Sequence, residues 1–174
     1  MHTNKTVTQI APSIWRVDRF TNPAERRKSL FVTEPNTPFV PNESYCCTET
    51  PDGMLQFQMD HHTVLSEIDS PFTQGFLLSE SDGIYGLGIH QKLPLNRRNT
   101  VCQMVQKNGE ITAVPFFTST GGYAVLFDTC AYMSIGIDKP CTTEYTDSYE
   151  PQISLPNEMH IFADDADFFS YYVI

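Results

Sequence analysis

The sequence predicts an all-β fold, an antiparallel β-sandwich. Three observations point to it. Turn signals of the Pro-Asp-Gly, Ser-Asp-Gly, Asn-Gly and Gly-Gly kinds recur roughly every ten residues, dividing the chain into short apolar runs. No window sustains the 3.6-residue apolar period of an amphipathic helix. Aromatic residues make up 12% of the chain and charged residues only 18%, a balance suited to pleated, half-buried surfaces. At 174 residues the chain is long enough to bury a substantial core as one domain, residues 1–174.

In order along the chain, Ile10 to Phe20 alternates imperfectly around Ile14, Trp15 and Val17 and reads as an opening strand. Asn22-Pro23-Ala24-Glu25 has the form of a helix start, with Asn as cap and Pro first. The three prolines between Pro35 and Asn42 limit it to one turn and make that segment a loop. Tyr45 to Thr50 and Met54 to Asp60 flank the turn Pro51-Asp52-Gly53. In the second run Leu55, Phe57 and Met59 alternate with Gln56 and Gln58, the mark of a strand with one wet face. Phe76-Leu77-Leu78 and Ile84-Tyr85 flank Ser81-Asp82-Gly83 and read as another hairpin. Thr100 to Asp128 reads as a three-stranded meander turning at Lys107-Asn108-Gly109 and at Thr120-Gly121-Gly122. Within it, Pro115 belongs on an edge or at a bulge, because it cannot donate to a ladder. Tyr123, Val125 and Phe127 share one face, and Ala124, Leu126 and Asp128 the other. Both faces are mostly apolar, so this strand is expected to be central. Runs at Met133 to Ile137, Ile153 to Leu155, Glu158 to Ala163 and Phe168 to Ile174 complete the set. The last is apolar to its final residue, which leads us to expect a longer polypeptide.

The net charge of −10 argues against nucleic acid and against an anionic membrane surface as partners. No run approaches the ~20 apolar residues of a spanning helix. The N-terminus has no apolar signal core, so a cytoplasmic location is expected. Five cysteines, an odd number with no C-x-x-C pair, suggest free thiols rather than a disulfide framework or zinc site. His61 and His62 are adjacent, so their rings point to opposite faces of a strand and cannot share a metal. His90 reads as a loop residue and His160 as a strand residue. Asp164, Asp165 and Asp167 read as a solvated loop. No nucleophile elbow or phosphate-binding loop is present. The residues themselves therefore point to no catalytic set, no metal site and no cofactor.

One stretch resembles a known family. Tyr85-Gly86-Leu87-Gly88, then Leu95-Asn96-Arg97, then Val114-Pro115-Phe116-Phe117, Ser119 to Ala124 and Asp128 resemble the N-terminal β-sandwich domain of glycoside hydrolase family 31, which includes α-glucosidases and α-xylosidases. The terminal DFFSYYVI is similar to the family strand that leads into the catalytic barrel. Gly121 departs from the family's usual Arg, Ala124 from its Gly and Thr129 from its Asn, which bears on the conformation of that turn. The resemblance implies a galactose-mutarotase-like supersandwich. It also implies a retaining (β/α)8 catalytic barrel after residue 174, so the chain alone is expected to be inactive. Trp15-Arg16-Val17-Asp18 is not the family's nucleophile motif. The implied partners are that barrel in the same polypeptide and, through it, an α-linked oligosaccharide substrate. A family loop that helps to shape the substrate pocket corresponds to Gln106, Lys107, Asn108, Gly109 and Glu110. Without the barrel, an exposed apolar patch and self-association into a homo-oligomer are expected. The alternative is a free-standing carbohydrate-binding or interaction module with the same sandwich. The mutarotase version of that idea needs two His and a Glu in one cleft, and the spacing of His61, His90 and His160 gives it no support.

Overall fold

The computed structural model describes residues 4–22, 24, 29, 38–105, 111–141, 154–164 and 167–174. Strands dominate, and no α-helix occurs among the described residues. In chain order they are β1 (Asn4–Ala11), β2 (Ile14–Phe20), β3 (Tyr45–Glu49), β4 (Leu55–Met59), β5 (His62–Glu67), β6 (Gln74–Leu77) and β7 (Ile84–His90). They continue as β8 (Thr100–Met104), β9 (Ile111–Ser119), β10 (Ala124–Phe127), β11 (Met133–Ile137), β12 (Glu158–Ala163) and β13 (Phe168–Val173). They form a six-stranded sheet, β1-β2-β13-β10-β9-β7, and a seven-stranded sheet, β3-β4-β5-β6-β12-β11-β8. Every strand pair is antiparallel. The expected β-sandwich is the fold.

The core lies between the sheets. Val17, Phe117, Val125, Phe127, Phe169 and Tyr171 from one sheet join Leu55, Phe57, Phe76, Ile135, Met159 and Ile161 from the other. Phe76 and Tyr171 meet across the gap edge to face at 5.3 Å. β13 is buried on both faces. Phe169, Tyr171 and Val173 enter this core, while Phe168, Ser170 and Tyr172 are buried on the opposite side. Two-sided burial is why its sequence reads as a continuous apolar run rather than an alternating one. β10 sits between β9 and β13, the central position expected for it.

The Pro51-Asp52-Gly53 hairpin forms, joining β3 to β4. Three other expectations need correction. β8 does not pair with β9, so there is no three-stranded meander. Both edges of β9 are taken, by β7 and β10, and β8 instead closes the free edge of β11. β6 and β7 are not a hairpin either. The edges of β6 are held by β5 and β12, so the Ser81-Asp82-Gly83 turn carries the chain from one sheet to the other. The opening segment is two strands, not one: β1 and β2 turn back at Pro12 and Ser13.

β5 was not foreseen. Asp60 and His61 take φ of 48° and 67°, the backbone of a tight hairpin turn built without glycine. His61 therefore lies in the turn and only His62 in the strand, which differs from two rings on opposite strand faces. Ser154 and Leu155 are outside any strand, and Ile153 lies outside the described residues. Asn22 does accept a bond from the Ala24 N–H at 3.0 Å. Pro23 and Glu25 of that expected helix start lie outside the described residues.

Candidate functional site

The YGLG stretch has the longest run of positive φ among the described residues. Gly86, Leu87 and Gly88 have φ of 115°, 60° and 87° in succession. The β7–β9 register slips here: Gly86 pairs with Phe117 but Gly88 with Ala113, so β9 carries extra residues. Pro115 falls inside that slip, where it opposes no ladder partner. The glycines are required sterically as well. A β-carbon on Gly86 would lie 2.6 Å from the Phe116 carbonyl oxygen, and one on Gly88 would overlap that of Thr112.

Two side chains reach the three carbonyls of this stretch. Arg97 is buried at 4% exposure. Its Nε donates to the Gly86 carbonyl at 3.1 Å and its Nη2 to that of Gly88 at 2.8 Å. Its Nη1 donates to Pro94 at 2.7 Å, and its backbone N–H to Ile84 at 2.7 Å. His90 Nε2 lies 2.9 Å from the Leu87 carbonyl and, as the donor there, carries the proton. The Gly-rich element and the Leu95-Asn96-Arg97 loop are thus one knot, in which the loop caps the otherwise open edge of β7.

Burial lowers the His90 pKa below its ordinary 6.5, opposed by the Leu87 bond and reinforced by the nearby Arg97 charge. Folded His90 therefore takes up a proton less readily than unfolded His90, and acid favours the unfolded chain. His90 costs no stability above about pH 6.5. Stability is expected to fall as the pH drops below 6.5 toward the lowered folded pKa. Urea midpoints between pH 7 and pH 5 check this, with His90→Gln expected to flatten part of the decline.

Arg98, next in sequence, ties a second knot. Its Nε and Nη2 form a bidentate pair with Asp138 at 2.6 and 2.8 Å. Nη2 also donates to Asn157 Oδ1 at 2.8 Å, and Nη1 to the carbonyls of Ser79 and Asp82. This joins the loops entering β7, β8 and β12. Neither arginine is a free cation for a ligand.

Ser70, His160 and Glu158 have the order of a hydrolase triad. Ser70 Oγ lies 3.0 Å from His160 Nδ1, and His160 Nε2 lies 2.8 Å from Glu158 Oε2. Ser70 is buried, however, and its Oγ already accepts from the Phe72 N–H. The Ile68 and Thr73 N–H groups are spent on Gly75 and Ile161 carbonyls. An oxyanion would find no preorganised donor among these. The cavity beside Ser70 is about 50 Å³, and a second, lined by Trp15, Tyr45, Phe57 and Tyr123, is about 30 Å³. Each has room for a few waters rather than a sugar ring. Among the described residues no group of three or more His, Cys, Asp or Glu is placed to hold a metal. Asp167 instead accepts from the Thr21 hydroxyl at 3.0 Å. Among the described residues no helix is long and apolar enough to cross a membrane.

The implied pocket loop, Gln106, Lys107, Asn108, Gly109 and Glu110, lies outside the described residues. Its flanks are placed: β8 ends at Met104 in one sheet, and β9 begins at Ile111 in the other. β8 and β9 are therefore not the two arms of a hairpin. Sequence reasoning also missed the principal buried charge, Glu67. It sits in β5, whose alternation is broken by an extra residue, Val64, opposite the Phe57–Gln58 step of β4.

No protein-family model matches the sequence, and no curated protein matches it. Solved structures do match the fold. A glycoside hydrolase family 31 α-xylosidase from a soil metagenome, complexed with xylose, aligns at TM-score 0.65 and 16% identity, covering 97% of this chain and 29% of that one. A family 31 dextranase from Flavobacterium johnsoniae, complexed with glucose, aligns at TM-score 0.65 and 15% identity, covering 99% and 26%. The family 31 α-xylosidase of Xanthomonas citri aligns at TM-score 0.59 and 20% identity, covering 78% and 18%. At these identities the likeness establishes the fold, and the chain spans less than a third of the length of each of these structures. The chain has the β-sandwich fold that family 31 glycoside hydrolases carry as a minor part of their length.

Proposed function

We propose that this chain is the non-catalytic N-terminal sandwich of a retaining α-glycosidase of family 31, of the α-glucosidase or α-xylosidase type. In that role it packs on the catalytic barrel of the same polypeptide, and the Gln106 to Glu110 loop contributes to the substrate pocket. The observation that carries this reading is the lopsided coverage: nearly all of this chain aligns with about a quarter of much longer glycosidases. The Tyr85 to Gly88 and Leu95-Asn96-Arg97 elements support it independently, since these two stretches of the resemblance form one hydrogen-bonded knot. The small cavities and the hydrogen-bonded histidines favour a supporting role over a sugar site in the sandwich itself.

The parent polypeptide tests this directly. Hydrolysis of an aryl α-xyloside or aryl α-glucoside is expected from it, with none from residues 1–174 alone. A reading frame that continues without a barrel, or a parent inert on both substrates, would count against the proposal. Activity that survives deletion of Gln106 to Glu110 with an unchanged KM would remove the loop's role only.

A further inference from the structure

We infer that the loop of residues 91–97 is a strap that acid releases from the edge of β7, with His90 as its trigger. β7 ends the six-stranded sheet, so the backbone groups along its outer edge have no strand partner. The loop takes that partner's place at alternate residues. Asn96 Oδ1 accepts from the Ile84 N–H at 3.1 Å, and the Arg97 N–H donates to the Ile84 carbonyl at 2.7 Å. The Arg97 guanidinium serves Gly86 and Gly88, and the Leu93 N–H donates to the His90 carbonyl at 3.1 Å. His90 Nε2 takes the Leu87 carbonyl, at a fully buried leucine held at a φ of 60°. Beyond the strap, the bidentate Arg98–Asp138 pair anchors the chain, so residues 91–97 can lift while β8 stays in place.

Among the described residues, the charges around His90 are all of one sign. Residues 84–98 contain no Asp or Glu, in a chain with 21 of them. The facing strands supply none either: β9 has no charged residue, and β8 offers only Cys102, whose thiol burial keeps protonated. Arg97 bonds to carbonyls alone and has no carboxylate partner among the described residues. Lys92, in the strap, is exposed and also cationic. Protonating His90 leaves its Nε2 donor in place, so the Leu87 bond survives. What is added is a second buried cation beside Arg97 with no anion to offset it. Lifting the strap returns both cations to water. Burial first, and the Arg97 charge with it, keep His90 neutral while the strap is closed. Closure is therefore fully favoured above the ordinary histidine pKa and weakens as the pH falls below it. An opened β7 edge is a template for another strand.

Backbone hydrogen exchange at pH 7 and pH 5, corrected for intrinsic rates, tests this. Amides of residues 84–97 are expected to open at least about fivefold more often at pH 5, while those of β12 and β13 change by less than about twofold. His90→Gln keeps a donor for the Leu87 carbonyl but cannot take up a proton, and is expected to abolish the difference. The His90 ring, followed by NMR, is expected to titrate below a histidine in an unfolded peptide. Should the variant fail to fold, that titration and the wild-type exchange decide. Equal protection at both pH values, a response that persists in His90→Gln, a ring that titrates at or above the peptide value, or loosening of β12 to match β7 would each overturn the inference. None of these readouts involves glycosidase activity, so failure here is distinct from failure of the family reading.

Discussion

Replacing Glu67 by alanine is expected to lower the free energy of unfolding by about 3–5 kcal/mol, the cost of breaking a buried ion pair from one side. The Glu67 side chain is fully buried. Its carboxylate accepts from Arg19 Nη2 at 2.6 Å and Nε at 3.3 Å, from the Leu55 N–H at 2.8 Å, from Gln74 Nε2 at 3.3 Å and from the Tyr171 hydroxyl. Arg19 and Tyr171 belong to the six-stranded sheet, and Leu55, Glu67 and Gln74 to the other, so one carboxylate ties the two layers. Burial works against the Arg19 cation, yet its bonds to Glu67 and the Glu67 charge outweigh burial and raise its pKa. Burial first, and the Glu67 charge second, push the Tyr171 phenol well above its ordinary pKa and the Cys47 thiol up to about 12. Removing Glu67 leaves the Arg19 charge, a phenol and an N–H without their acceptor inside the sandwich. Domains of this kind are stable by only about 5–15 kcal/mol, so the loss should be plain in urea melts. Glu67→Leu combined with Arg19→Met is expected to recover much of it, since an apolar pair needs no partner. A single-variant loss below about 1 kcal/mol would show that water replaces the network.

Arg97→Met is the second large effect, expected to cost about 3 kcal/mol, from charged hydrogen bonds to three carbonyls offset by retained packing of the stem. Arg97→Lys should recover less than half, because one ammonium on a flexible stem cannot span the Gly86, Gly88 and Pro94 carbonyls as the planar fork does. The damage should be local. Amides of β7 are expected to exchange faster while those of β12 and β13 keep their protection, which separates loss of the knot from general unfolding. If β12 loosens as much as β7, the arginine supports the whole core and not the bulged edge.

Much of this molecule was legible before folding. Turn residues mark Pro51-Asp52-Gly53 and Thr120-Gly121-Gly122 because those positions need glycine's backbone or a preset proline. The apolar residues on both faces of Tyr123 to Asp128 announce a central strand, the position β10 takes. Pro115 foretells an edge or a bulge because it has no N–H to give, and the structure places it in a bulge. These are properties of one residue and its immediate neighbours, and such properties survive in a linear reading.

Partner choice did not survive. Local pattern says that Thr100 to Met104 is a strand but not which edge accepts it. That depended on β9 already being paired on both sides while β11 had an edge free. The turn at Asp60 and His61 carried no glycine to announce it. The candidate site divides in the same way. Sequence brought Tyr85 to Gly88 and Leu95 to Arg97 together as neighbouring motifs, and tertiary structure made them one hydrogen-bonded knot. Glu67 carried no signal at all, because its partners come from Arg19, Leu55, Gln74 and Tyr171, spread over most of the chain. By itself, the sequence determined the all-β class, most strands and several of the turns, since backbone conformation and burial periodicity are local. Only the tertiary structure decided which strands meet and which charges are buried together, because those depend on contacts between distant residues.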